Sequence, residues 1–301
     1  MSEEHSHGVP DHRGRLVLVL AIAITVLVAE VVGAFRANSL ALFADAGHLL
    51  SDVAGLVMAL VAAVLMRRPP TNARTWGFRR AEVLAAAAQA SILLLVGVFV
   101  LWGAVARLIH PPVVEERTML LFALLALVGN IAAVAVLVGQ RGSNLNMRAA
   151  FLEVVNDALG SVAVLIAAAV IAGTGWTRAD PVASLVIGLL ILPRTLRLLW
   201  ESLRVLLEST PKGLDLGDVR QRMLGREHVL DVHDLHASQV ATGLPVLTAH
   251  VVVDDSCFFD GHLTQMLDEL QACLVDDFDI EHSTIQFEAS RHLEHEGETH
   301  P

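Results

Sequence analysis

The sequence predicts an all-α domain of six membrane-spanning helices followed by a small α+β domain. The chain has 301 residues, of which 54% are hydrophobic, and its mean hydropathy of +0.58 is high for a water-soluble protein of this size. Six apolar stretches reach the length of about 20 residues that crosses a bilayer. Residues 208–301 carry 5 Arg and Lys against 19 Asp and Glu, so an apolar body is joined to an acidic, polar tail.

The six apolar stretches set the topology. They lie near residues 16–35, 39–66, 82–106, 118–139, 149–172 and 181–200. An even number of spans places both termini on the same side of the membrane. Arginines cluster beside the termini and in the loops after the second and fourth stretches, which assigns these segments to the cytoplasm by the positive-inside rule. We therefore expect a multi-pass protein of the cell (inner or plasma) membrane with cytoplasmic termini. Asp180 followed by Pro181 predicts the N-cap of the sixth helix.

The spacing of hydrophobic residues along the chain changes after Pro211. It predicts a helix near 215–224, strands near 229–239 and 245–253, a helix near 261–276 and a strand near 282–289, in the order αββαβ. We expect a disordered histidine-bearing tail at 1–15, the membrane domain at 16–207, a cytosolic metal-binding domain at 208–290 and a second disordered tail at 291–301. Histidines of the tails include His5, His7, His12, His292, His295 and His300.

Four ionisable residues within two spans predict an intramembrane metal site. His48 and Asp52 belong to the second span, and Glu153 and Asp157 to the fifth. An ionisable group at the membrane centre costs about 2.5–3.5 kcal/mol on insertion scales, so such groups generally serve a function. Each pair is spaced i, i+4, which places both side chains on one helix face, close enough to bind one ion. Interhelical polar pairs that hold the bundle together are the alternative interpretation.

Three further polar residues lie within the spans. Asp45 precedes His48 by three residues and lies on the same helix face. We interpret it as a neighbour of the ligands. The pattern is equally consistent with ligation and with a position at the membrane interface. Glu30 and Asn130 have no spacing that indicates a role, so helix-packing contacts are the default interpretation for both.

The predicted hairpin of the tail contains a second candidate metal site. His233 and His250 are equidistant from a turn centred between Ala241 and Thr242. Cross-strand partners have Cβ atoms about 5 Å apart, which is close enough for both histidines to bind one ion.

Several separate motifs give the chain a family resemblance. They are SLALFADAGHLLSD in the second helix, TWGFRRAE before the third, NMRAAFLEVVNDALGS in the fifth, LLESTP after the sixth, and VHDLH and HSTIQFE in the tail. With these motifs the chain resembles the cation diffusion facilitators over nearly its whole length. The resemblance implies a metal-cation/proton antiporter, a homodimer in the lipid bilayer, and a cytosolic metallochaperone-like (ferredoxin-like) domain.

The resemblance also bears on the site residues. The family's transport site lies on helices two and five. The matching positions in this chain are His48, Asp52, Glu153 and Asp157. Glu288 joins His233 and His250 at the cytosolic site. His282 is six residues from Glu288 on the same strand, about 20 Å away, so it belongs to a second cytosolic site or to none.

The residue at position 153 departs from the common zinc pattern. Many zinc-selective members of the family have histidine where this chain has Glu153. Three ionised carboxylates around Zn²⁺ leave one net negative charge, so either one group keeps a proton or a polar neighbour offsets the charge. Zn²⁺ is the expected substrate and a candidate regulatory ion. The extra oxygen ligand weakens the preference of the site for zinc, so Co²⁺, Cd²⁺ or Mn²⁺ are expected as further substrates.

The sequence also argues against other functions. It contains one lysine, Lys212, and neither a phosphate-binding loop nor a His-Glu-x-x-His motif, so we expect no nucleotide and no enzymatic activity. The acidic tail disfavours nucleic acid. The prediction is a secondary active exporter of divalent cations, and the alternative is a membrane-anchored metal sensor or scaffold without transport.

Overall fold

The structure is a computed structural model that describes residues 13–140 and 145–295. Within these ranges it has six helices long and apolar enough to cross a membrane. They are α1 (Arg13–Ala37), α2 (Leu40–Met66), α3 (Ala81–Ile109), α4 (Glu116–Leu137), α5 (Leu145–Thr174) and α6 (Ala179–Leu206). The six predicted spans are confirmed. The tail histidines His5, His7, His12 and His300 lie outside the described residues, whereas Ser290–His295 form a short 3-10 helix.

The chain divides into two compact units, which are described separately. The first unit comprises Met1–Met58 and Ala88–Arg197. Each of the six helices contributes a buried apolar side chain to its core, for example Ala34, Leu42, Val100, Met119, Val164 and Ile187. Other large apolar side chains face outward, such as Trp102, which is 78% exposed, and Leu190, which is 75% exposed. An apolar exterior around an apolar core is the surface that a lipid solvent requires.

Asp180 has a different role from the one that the sequence predicted. Its fully buried carboxylate accepts hydrogen bonds from the hydroxyl of Ser39 at 2.5 Å and from the backbone N–H groups of Leu40 at 2.9 Å and Ala41 at 3.1 Å. These are donors at the start of α2 that have no partner within their own helix. The predicted N-cap of α6 is therefore wrong, because Asp180 instead caps α2 and ties it to α6.

The second unit comprises Ala59–Ala87 and Leu198–Pro301. It contains α7 (Leu216–Leu224), β1 (Val229–Ala241), β2 (Leu244–Val253), α8 (Cys257–Asp260), α9 (His262–Phe278) and β3 (His282–Ala289). The strands form one sheet in the order β1-β2-β3, with β1 and β2 antiparallel and β2 and β3 parallel. Buried residues of α7, α9 and the sheet, including Met223, Leu274 and Val251, share one core. The predicted αββαβ order is confirmed, with the short α8 as an addition.

The hairpin between β1 and β2 pairs His233 with His250. Its turn lies between Ala241 and Leu244, one residue later than the sequence suggested. Between the turn and His233, β1 has two register irregularities that shift its pairing with β2. Together they offset the later turn, so that His233 still lies opposite His250. Asp234, in the irregularity next to His233, has a φ of 46°. Bulges of this kind re-aim side chains locally. The predicted pair is therefore present although the predicted turn centre is wrong.

Candidate metal centres

Three ionisable side chains converge between α2 and α5. The Nε2 atom of His48 lies 3.6 Å from Asp52 Oδ2 and 3.9 Å from Asp157 Oδ1. One ligand atom from each residue lies within 4.8 Å of the others. His48 and Asp52 share a face because they are one helical turn apart on α2, and Asp157 meets them from α5. The structure thus brings together three of the four residues that the sequence assigned to the intramembrane site.

The spacing of the three groups suits an ion rather than direct hydrogen bonds. Distances of 3.6 and 3.9 Å are too long for a good hydrogen bond. They are close to the separation of two ligand atoms that each lie about 2.0–2.2 Å from a tetrahedral zinc ion. Among the described residues, His48 Nδ1, Asp52 Oδ2 and Asp157 Oδ1 are buried without a hydrogen-bond partner. The arrangement can therefore hold a divalent cation through one imidazole and two carboxylates.

Glu153 lies outside this group of three. Its carboxylate accepts two parallel hydrogen bonds from the guanidinium of Arg194 on α6, at 3.1 and 2.8 Å. Such bidentate pairs are the strongest that an arginine forms with a carboxylate. Glu153 and Arg194 nevertheless lie close enough to act electrostatically on all three candidate ligands. Glu153 is outside the group of three and paired with Arg194, so its role as a direct ligand stays a prediction.

Arg194 balances the charge of the candidate site. Three ionised carboxylates, those of Asp52, Glu153 and Asp157, exceed the charge of a divalent ion by one. The guanidinium supplies the missing positive charge, so the loaded site is neutral as a whole. This matters because an uncompensated charge in a low-dielectric environment is costly. The sequence left open whether a retained proton or a polar neighbour offsets the charge, and Arg194 is such a neighbour.

The role of Arg194 had a signal in the sequence. The residue lies inside the predicted span 181–200 and directly follows Pro193, which stands within α6. Its position near the end of that span makes it resemble the flanking arginines from which the topology is predicted. An arginine within a span generally faces a carboxylate, and this rule would have singled it out.

A second candidate site lies on the sheet of the second unit. His233 Nε2 is 3.2 Å from Glu288 Oε2, and His250 Nδ1 is 2.7 Å from Glu288 Oε1. The imidazole centroids of the two histidines are 5.2 Å apart. One ligand atom from each of the three residues lies within 4.8 Å of the others. The hairpin register places the two histidines side by side, and the parallel strand β3 supplies Glu288, whose carboxylate contacts both of them.

Two of the three residues of this second site are buried, and the third is partly exposed. The side chain of Glu288 is only 2% exposed and that of His233 only 7%, whereas that of His250 is 29% exposed and opens the site to solvent. The side-chain amide of Gln286 donates a hydrogen bond to Glu288 Oε1 at 2.8 Å. Two imidazoles and a hydrogen-bonded carboxylate form a donor set that is typical of zinc, with a further coordination position toward solvent.

His282 is not brought to this site. The residue begins β3, opposite Val246 of β2. Its ring contacts Trp76 edge to face, with centroids 5.4 Å apart. Within the described part of the chain, no second ligand cluster of the tail includes it. A separate cytosolic metal site at His282 thus stays a prediction without support from its neighbours.

Comparison with known proteins identifies the family. The profile of the cation efflux transmembrane domain matches residues 16–207, and that of the cation efflux protein cytoplasmic domain matches residues 211–290. The chain belongs to the cation diffusion facilitator (cation efflux) family. It is therefore a multi-pass membrane protein of a family that exports divalent metal cations, as the motifs in its helices and tail indicated.

Relatives in this family match almost the whole chain. The metal cation efflux system protein CzcD of Cupriavidus metallidurans is 42% identical over 289 residues, which cover 96% of this chain and 90% of that protein. The zinc transporter ZitB of Escherichia coli is 41% identical over 296 residues, covering 96% and 93%. The cadmium, cobalt and zinc/H(+)-K(+) antiporter of Bacillus subtilis is 34% identical over 298 residues, covering 97% and 93%.

Proposed function

We propose that this cation efflux protein exports divalent metal ions, chiefly zinc, from the cytosol in exchange for protons. The observation that carries the proposal is the buried group His48, Asp52 and Asp157 inside helices long enough to span the membrane. These three residues are the ligands of the transported ion, and Glu153 with Arg194 sets the charge around them. The names of the relatives support zinc, cadmium and cobalt as cargo, and the name of the Bacillus subtilis antiporter includes protons, together with potassium, as counter-ions.

The mechanism is alternating access with shared ligands. In the cytosol-facing state the ionised carboxylates of Asp52 and Asp157 and the neutral imidazole of His48 bind the dehydrated ion. In the outward-facing state protons replace the ion on the same groups, because a carboxylate that loses its cation in a low-dielectric site gains a proton instead. The protonated site then returns to the cytosol, where the protons leave. The two substrates thus exclude each other at one site.

Membrane orientation and assembly belong to the same proposal. The arginine bias of the sequence places the termini and the tail in the cytosol. The acidic field of the tail attracts divalent cations toward the membrane domain. Two protomers associate through the cytoplasmic domain, whose family includes homodimers. Binding of metal at His233, His250 and Glu288 stiffens this domain and raises transport when metal is plentiful.

The alternative is a membrane-anchored metal sensor that transports nothing. The site at His233, His250 and Glu288 favours this alternative, because a sensor needs only a metal site in the tail. Uptake of zinc into liposomes that contain the purified protein distinguishes the two functions. Zinc accumulation above that of protein-free liposomes supports transport, whereas zinc binding without accumulation supports the sensor.

Replacing both His233 and His250 by alanine tests the cytosolic site. Removal of two of three ligands is expected to weaken zinc binding at this site at least about 100-fold. One class of bound zinc should therefore disappear from the calorimetric titration of the full-length protein. Basal transport stays measurable, because the membrane site is intact. His236→Ala is the matched control, since it removes an exposed histidine of the same strand. Equal zinc binding in the double variant and the parent would refute the site.

A further inference from the structure

A second polar cluster lies within the membrane helices. It joins Glu30 of α1, Asp45 of α2, Asn130 of α4 and Ser161 of α5. All four residues are buried, with exposures of 1%, 5%, 3% and 0% respectively. Neither the candidate ligands nor the Glu153–Arg194 pair belongs to it. Four polar residues converging from four helices in an apolar environment require a purpose beyond packing.

Direct contacts hold three of these residues together. The side-chain amide of Asn130 donates a hydrogen bond to Ser161 Oγ at 3.1 Å. Ser161 Oγ lies 3.2 Å from Asp45 Oδ2 and 3.1 Å from the backbone carbonyl oxygen of Asp157. A Cβ atom at Gly160 would lie 2.5 Å from Asp45 Oδ1, so the carboxyl group of Asp45 is pressed against the backbone of α5. The cluster therefore adjoins the helix turn that carries Asp157.

Glu30 is the member whose hydrogen bonding is incomplete. Its Oε2 atom is buried and meets no donor among the described residues. Its carboxyl group lies near that of Asp45 on α2, close enough for the two to interact electrostatically. Two ionised carboxylates offer each other no hydrogen-bond donor, whereas a single proton on one of them allows a hydrogen bond between the two. Unlike Glu153, Glu30 has no arginine partner in the described part of the chain, because the helices of the cluster, α1, α2, α4 and α5, carry arginine only in their terminal turns or not at all.

We propose that Glu30 binds a proton, shared with Asp45, at a site separate from the metal ligands and coupled to them. Besides Asp45, the ionisable group that acts electrostatically on Glu30 is Asp157 on α5, which shares the candidate metal site with His48 and Asp52 on α2. A divalent ion bound by those three groups cancels the negative field of Asp157 at the cluster, which favours ionisation of Glu30. The O–H bond of Glu30 then breaks, its proton passes to water, and Glu30 remains as the carboxylate. Loss of the metal reverses the step.

This inference rests on the proposed antiport, and its test separates the two. Proteoliposomes with a trapped pH indicator report protons moved, and a zinc indicator reports zinc moved. If the parent protein moves zinc without protons, the proposed antiport is wrong whatever Glu30 does. If the parent couples the two, Glu30→Gln should still insert and transport zinc, but the number of protons per zinc should fall by about one, because each carboxyl group carries one proton. Glu116→Gln, which neutralises a carboxylate in the first turn of α4, is the matched control and should leave the ratio unchanged.

Infrared difference spectroscopy gives a second readout that does not depend on turnover. Addition of zinc to the parent should remove several carboxylic-acid C=O bands, because Asp52 and Asp157 also exchange protons for the ion. One of these bands should be absent from Glu30→Gln and shifted in Glu30→Asp. The Glu30→Asp variant keeps an ionisable group if Glu30→Gln fails to fold. An unchanged proton-to-zinc ratio in Glu30→Gln, or a zinc-induced difference spectrum whose carboxylic-acid bands are all identical in parent and Glu30→Asp, would overturn the proposal. So would a requirement of the parent for sodium or potassium that Glu30→Gln removes, because the cluster would then bind an alkali ion.

Discussion

Replacing Asp157 or Asp52 by alanine is expected to abolish metal transport while the protein still inserts into the membrane. Each substitution removes one of three converging ligands, and His48 with a single carboxylate cannot replace the hydration shell of a divalent ion. Removal even of a supporting group typically costs 10–100-fold in metal affinity, so loss of a ligand should reduce zinc uptake at least about 100-fold. Zinc uptake into everted membrane vesicles measures the effect directly.

The controls for these variants separate loss of a ligand from loss of the fold. Asp157→Glu keeps a carboxylate at the same position and should retain part of the activity. Glu116→Ala removes an acidic side chain in the first turn of α4 and should transport like the parent. Size-exclusion chromatography in detergent shows whether each variant is folded. Zinc uptake at the parent's rate by either alanine variant would remove Asp157 or Asp52 from the site.

The second large effect is expected at Glu153 and depends on Arg194. In Glu153→Ala the guanidinium loses its carboxylate and becomes an unbalanced positive charge beside the candidate ligands, which repels every divalent cation. Uptake of zinc, cobalt, cadmium and manganese should therefore fall together, by at least about tenfold. Glu153→His also removes the carboxylate partner of Arg194 and should lower uptake, but its nitrogen donor should narrow the metal range of the remaining uptake toward zinc. Uptake of the four metals across pH, with the accompanying proton flux, measures both results.

A double variant decides why Glu153 matters. If Glu153 serves to balance charge, Glu153→Ala combined with Arg194→Gln should recover much of the lost uptake, because both members of the ion pair are then removed. If Glu153 ligates the ion during transport, the double variant should stay as inactive as the single variant. Parent-like uptake by Glu153→Ala would contradict both roles. An unchanged metal ranking in Glu153→His would contradict the charge argument about selectivity.

The sequence was most informative where local periodicity decides the structure. The six apolar stretches and the αββαβ tail follow from hydrophobic spacing, and both are present. The pairing of His233 with His250 was also predictable, although the turn was placed one residue early. Register irregularities depend on how β1 packs over its whole length, which a count of residues from the turn does not include.

The sequence was least informative about polar side chains whose hydrogen-bond partners lie on another helix. Asp180 caps α2 rather than its own helix, and Arg194 pairs with Glu153 across 41 positions of the chain. The sequence indicates only helix-packing contacts for Glu30 and Asn130, whereas in the structure both belong to one cluster with Asp45 and Ser161. Spacing along one helix shows which residues share a face, but it does not show which faces meet. These partnerships required the tertiary structure.

Metal-driven proton flux in proteoliposomes tests the central claim most directly. The protein is reconstituted with a trapped pH indicator, and zinc, cobalt, cadmium and manganese are added in turn to the outside, with the Asp52→Ala/Asp157→Ala double variant as the control. We predict that zinc produces the largest proton efflux, that zinc accumulates inside as protons leave, and that both signals vanish in the double variant. Zinc accumulation without proton movement would contradict the exchange, and equal signals in the double variant would contradict the site.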